Sequence, residues 1–103
     1  MATKRQQAMT KALRAFAPQI PLADAEAVLA RAAKGSLKAL TPNASVWLAL
    51  VSHVRHRHTD YDQLLIEGYD RDAARYFVVE QTEAQLAEWG CARLLLDEAA
   101  EEP

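Results

Sequence analysis

Apolar residues recur at spacings of three and four along most of the chain, and glycine and proline punctuate them, the pattern of a helical protein. Met9, Leu13 and Phe16, with Ala8 and Ala12 beside them, mark one face of a first helix from Lys4 to about Phe16. Thr3 supplies its N-cap, and Gln6, three residues on, completes a capping box. Pro18 and Pro21 end that helix and enforce a short extended link. A second helix is predicted from about Leu22 to Lys34, with Val28, Leu29 and Ala32 inward and Gly35 at the C′ position. The segment from Gly35 to Pro42 reads as a loop with Lys38 in its middle. A third helix starts near Asn43 or Ser45, either a good N-cap, and ends near His58. Trp47, Leu50, Val51 and Val54 give it the strongest amphipathic signal in the chain. Thr59 is expected to cap a short helix, Asp60 to Glu67, stopped by Gly68. Asp70 caps a last long helix, Arg71 to Trp89, with Ala74, Phe77, Val78, Leu86 and Trp89 as its apolar positions. Gly90 terminates it, residues 91–97 add a turn or two, and the acidic end 97–103 is expected to fray. β-Branched residues are few and no run alternates with period two, so no strand is predicted. The expected fold is all-α: a compact single-domain bundle of about five helices over residues 1–96, with a short helix between the third and the last long one.

Composition fits one globular domain. Of the 103 residues, 50% are apolar and 25% charged, which argues against disorder. The single cysteine excludes an internal disulfide framework and any cysteine-rich zinc site, and fits a reducing, cytoplasmic location. No stretch approaches the roughly 18 uncharged apolar residues of a membrane span. The N-terminal segment carries cations but no apolar core of a secretory signal.

Charge changes the picture more. The net charge of −2 conceals a division. Residues 1–59 carry nine Lys or Arg against Asp24 and Glu26, whereas residues 60–103 carry Arg71, Arg75 and Arg93 against twelve acids. Such segregation marks either a surface that faces a polyanion or two halves whose charges pair with each other. Exposed pairs contribute only about 0–1 kcal/mol each, so pairing alone is a weak reason for it.

Candidate chemistry is concentrated between Ser52 and Asp62, where all three histidines, Arg55, Arg57, Tyr61, Asp60 and Asp62 lie together. At about 100° per residue His53 and His56 share a helix face, while His58 points about 140° away from His53. Three imidazoles therefore do not converge from one helix. A His53/His56 pair joined by a carboxylate from another element is the metal arrangement the spacing allows, a weak signal, and no metal site is assigned. Thr59 and Asp62 read as a capping box at a helix corner with Tyr61 packed beneath. Arg55 borders the apolar stripe and wants either a carboxylate, such as Asp62 or an acid of the last helix, or a phosphate. No glycine-rich phosphate loop or nucleophile elbow is present, and Cys91 reads as a small buried residue.

The run from Val54 to Gly68, VRHRHTDYDQLLIEG, followed by YDRDAAR and a helix closing on a tryptophan, resembles the bacterial domain-of-unknown-function family numbered 2293. The matching positions are Arg55, His56, Thr59, Tyr61, Asp62, Leu64, Leu65, Gly68, Arg71, Ala74, Arg75 and Trp89, and the resemblance spans roughly residues 8–89. It implies a helical fold and a residue set and carries no settled activity. Some relatives are longer chains with arginine-rich and zinc-ribbon-like segments, which implies contact with nucleic acid. The chain departs from the family pattern where Leu37–Pro42 replaces a Gly/Arg-rich loop, which weakens any grip that loop has on a polyanion.

Three readings follow. The first is a small helical binding module that contacts nucleic acid through its basic half, with Arg55, Arg57, His56, Lys34, Lys38, Lys11 and Arg14 as anion-binding candidates, Lys4 and Arg5 beside them, and Thr59, Tyr61 and Asp62 as the motif corner. The second is a protein-interaction or self-associating module, a homodimer included. The third is an enzyme using the cluster of Arg55, His56, Tyr61 and Asp62, with His56 as base and Asp62 orienting it. No cofactor, no membrane contact and no catalytic residue are assigned.

Overall fold

A computed structural model describes residues 2–92, so the expected acidic tail and most of the segment 91–97 lie outside the described residues. Six α-helices account for it: α1 (Lys4–Phe16), α2 (Leu22–Ala32), α3 (Pro42–His58), α4 (Tyr61–Ile66), α5 (Arg71–Phe77) and α6 (Val79–Glu88). No strand occurs among the described residues, in keeping with the all-α expectation. None of these helices is long and apolar enough to cross a membrane.

Side-chain caps fix the starts of α1, α3 and α5. Thr3 and Gln6 form the expected capping box, with Gln6 N–H donating to Thr3 Oγ1 at 3.0 Å and Thr3 N–H to Gln6 Oε1 at 2.8 Å. Asp70 accepts from Ala73 N–H at 2.8 Å at the start of α5. The start of α3 differs from expectation. Thr41, not Asn43 or Ser45, is its N-cap, accepting from Ala44 N–H at 3.3 Å. Pro42 then occupies the first helical position, where its missing N–H costs nothing. The expected loop before it contains a 3₁₀ turn, Gly35–Ala39.

Helix α3 is the axis of the domain, and α1, α2 and α6 pack around it. Its buried residues are not confined to the predicted stripe. Ser45, Val46, Ala49 and His53 join Trp47, Leu50, Val51 and Val54. A helix covered from several sides carries apolar residues all round, so the amphipathic reading understated its burial. Ser45 and Thr82, both fully buried, return their hydroxyls to the carbonyls of Pro42 at 3.1 Å and Val78 at 2.8 Å, which removes the cost of burying them.

The last helix is two. The chain breaks at Val78 (φ −107°, ψ 10°), which separates α5 from α6. The break has a packing reason. Val78 and Ala74 close a small cluster with Tyr61, while Leu86 and Trp89 belong to the main core against α3. One straight helix could not feed both. Phe77, predicted to be inward, is 55% exposed as a result.

The end of α6 is clasped by the link after α1. Gly90 (φ +87°) allows Cys91 N–H to reach Leu86 O at 2.9 Å and Gly90 N–H to reach Ala87 O at 3.0 Å, a Schellman ending. Gln19 N–H donates to Trp89 O at 2.9 Å, and a Cβ on Gly90 would meet Pro18 Cγ at 2.9 Å. Gly90→Ala is therefore expected to destabilise the domain by about 1–2 kcal/mol, through positive-φ strain and this close approach. Urea denaturation reads it, and an unchanged midpoint would contradict it. Cys91 is buried beside this clasp.

Candidate anion-binding cleft and histidine cluster

Helix α2 presents Asp24, Ala27 and Arg31 along one side, at spacings of three and four, and Lys34 follows it as the extended residue before the 3₁₀ turn. Across from it α3 presents His53 and Arg57, also four apart. Between them lies an open cleft of about 600 Å³, floored by Ala27, Ala30 and Leu37, with Arg31, Lys34, Arg57 and His53 around it and Gly35 and Ser36 at one end. Arg31, Lys34 and Arg57 are exposed. Among the described residues no carboxylate comes within ion-pair distance of any of the three. Their charges are thus available to a ligand. Arg5, at the start of α1, reaches Leu37 O at 3.5 Å and extends the basic rim.

At the other end of the cleft, His53 Nε2 donates to Asp24 Oδ1 at 2.7 Å and His58 Nε2 donates to the same oxygen at 2.9 Å. The expectation that His53 and His58 diverge does not hold at the level of their ring atoms. His58 is the last residue of α3, and Asp24 on α2 sits between the two rings. Trp89 holds both, stacked on His53 at 6.5 Å and edge-on to His58 at 5.2 Å. His53 is buried, its side chain 6% exposed. Burial pushes the Asp24 carboxyl up, but the hydrogen bonds from His53 and His58, with the charges of those rings, outweigh it and hold the group below its ordinary 3.8.

The corner between α3 and α4 gathers the rest. His56 Nδ1 and Asp62 Oδ1 are 2.6 Å apart, with the two side chains 36% and 56% exposed. Asp62 therefore meets His56, as the enzyme reading supposed, and does not reach back to Thr59 as a capping box requires. Thr59 Oγ1 instead donates to Arg55 O and accepts from Tyr61 N–H at 3.1 Å. Tyr61 is buried, with the Arg55 guanidinium 5.7 Å from its ring centre and the His56 ring edge-on at 5.1 Å. Asp60 and Gln81 exchange two bonds of 3.0 Å that tie the corner to α6. His53 and His56 do not form the pair considered from their spacing, because each turns to a different carboxylate.

Of the anion-binding candidates, the cleft brings Lys34 and Arg57 together, and Lys38 lies on the adjoining 3₁₀ turn. Arg55 and His56 belong to the corner. Lys11 and Arg14 project from the outward side of α1, opposite Met9, Ala12 and Leu13, and do not line the cleft. Sequence reasoning missed Arg31 and Asp24, and weighed His53 only as a partner of His56. The spacing of 24, 27, 31 and 34 was the available signal for Arg31; nothing in the sequence links Asp24 to residues 29 and 34 positions away.

The profile of the family described as "Uncharacterized conserved protein (DUF2293)" matches residues 12–90, a span that holds both the cleft and the corner. No curated protein and no solved structure matches the chain.

Proposed function

The chain belongs to the uncharacterized conserved protein family DUF2293, a description that assigns no activity, and from its own residues we propose a small helical module that binds nucleic acid through backbone phosphates. The observation that carries this reading is the cleft between α2, the 3₁₀ turn and α3, where Arg31, Lys34 and Arg57 surround a concave surface with no carboxylate partner among the described residues. Two guanidinium forks suit phosphate bidentately, and a lysine adds a point charge. The acids of residues 60–88 lie on α4, α5, α6 and their links, on other elements than those that build the cleft.

Fluorescence anisotropy with short single- and double-stranded DNA and RNA tests the reading. Affinity should fall steeply between about 50 and 200 mM salt. Replacing Arg31, Lys34 and Arg57 together by Ala should weaken binding at least about tenfold and flatten the salt slope by roughly 2–3, the share of three phosphate contacts. No binding at the lowest salt, or binding indifferent to the triple change, would remove the proposal.

One observation favours a protein-interaction surface as a second reading. Ile66, Tyr69, Tyr76 and Phe77 are 79%, 46%, 76% and 55% exposed, and the three rings touch in sequence at 5.4 and 5.7 Å. Exposed aromatic clusters of this kind are enriched at interfaces. If a second copy covers it, light scattering after size exclusion should report twice 11.4 kDa at high concentration, and Phe77→Ser should return the monomer.

A further inference from the structure

We propose that Asp24, His53 and His58 form a binding site for one divalent transition-metal ion of the zinc class. This goes beyond the nucleic-acid reading and does not depend on it. The ligand atoms of these residues all lie within 4.8 Å of one another. Both imidazole Nε2 atoms point at a single carboxylate oxygen, at 2.7 and 2.9 Å. Zinc bonds to nitrogen and oxygen of about 2.0–2.1 Å in tetrahedral geometry place ligand atoms roughly 3.3 Å apart, so each imidazole nitrogen need draw back from the carboxylate oxygen by only about half an ångström. The Nε2 hydrogens that now meet Asp24 leave to solvent, or to Nδ1 of the same ring, as each lone pair turns to the metal.

Preorganisation supports the assignment. His53 and His58 project from one rigid helix and Asp24 from another, so no loop must order. Trp89 packs on both rings, and the rings themselves meet edge-on at 5.8 Å. The His58 and Asp24 side chains are 29% and 19% exposed, which leaves an entry path from solvent. Two imidazoles with one carboxylate favour Zn²⁺, Ni²⁺ or Cu²⁺ over Mg²⁺ and Ca²⁺, which take oxygen sets.

Isothermal titration of the full chain with ZnCl₂ after chelation should show one ion per chain, and CoCl₂ should give the intense visible bands of a four-coordinate nitrogen–oxygen site. His58→Gln and Asp24→Asn should each weaken binding by roughly 100-fold or more, while His56→Gln should keep it, because His56 turns to Asp62. Should either ligand variant fail to fold, Co²⁺ added to the unaltered protein should shift the imidazole NMR signals of His53 and His58 ahead of those of His56. Absence of binding and of cobalt bands, full binding in both folded ligand variants, or signals that move first at His56 would each overturn the site.

Discussion

Trp89→Ala is expected to destabilise the domain by about 3–5 kcal/mol, the range for deleting a buried tryptophan. Trp89 is 4% exposed and closes the main core where α6 ends against α3. Its ring also backs His53 and His58, and its carbonyl receives Gln19 N–H. The cavity would therefore open beside the histidine cluster and beneath the α1–α2 link at once. For a domain of this size each kcal/mol is worth roughly 4–8 °C, so the midpoint should fall by roughly 15 °C or more. Calorimetry reads this directly. Trp89→Phe, which keeps a ring at the site, should recover a large part of the loss. A fall below about 1 kcal/mol for the alanine variant would mean that Trp89 is not the closure described.

Asp24→Ala should cost about 2–3 kcal/mol, from the loss of two charge-assisted hydrogen bonds and the stranding of the buried His53 donor. His58, more exposed, finds water in exchange. The pH dependence has a definite sign. Asp24 is held below 3.8 in the fold, so the unfolded chain binds its proton first. The stability tied to its ionisation is full above that value and is lost as pH falls through the lower native one. Urea titrations in chelator, from about pH 5 down to pH 2, should show the unaltered protein and Asp24→Asn drawing together. A gap that stays constant or widens on acidification would contradict this account.

Local signals in the sequence were legible wherever the physics is local. The Thr3–Gln6 box, the Asp70 cap and the end at Gly90 were each readable from a few neighbouring residues. The break at Val78 was not, because it answers to two clusters that only the assembled fold separates. The same distinction runs through the site. The corner from Arg55 to Asp62 announced itself as a dense run, and its His56–Asp62 contact followed from six residues of separation. The cleft is assembled across α2 and α3, so Arg57 and Lys34 were named as charges without the concavity that joins them. Asp24 was counted as one of two acids in a basic half, and its role depends on a helix packing that periodicity does not encode.

The division of the core into two clusters has a consequence for how the domain opens. Tyr61, Ala74 and Val78 form a satellite with Leu64 and Leu65 against it, built almost wholly by α4 and α5. It is far smaller than the cluster gathered on α3. A unit that buries so little apolar surface separates at a lower free energy than the whole. Helices α4 and α5 are therefore the part that detaches first, with α1, α2 and α3 still docked. Amide exchange should be fastest in α4 and α5 and slowest along the middle of α3, and the aromatic surface of Tyr69, Tyr76 and Phe77 rides on the segment that lets go.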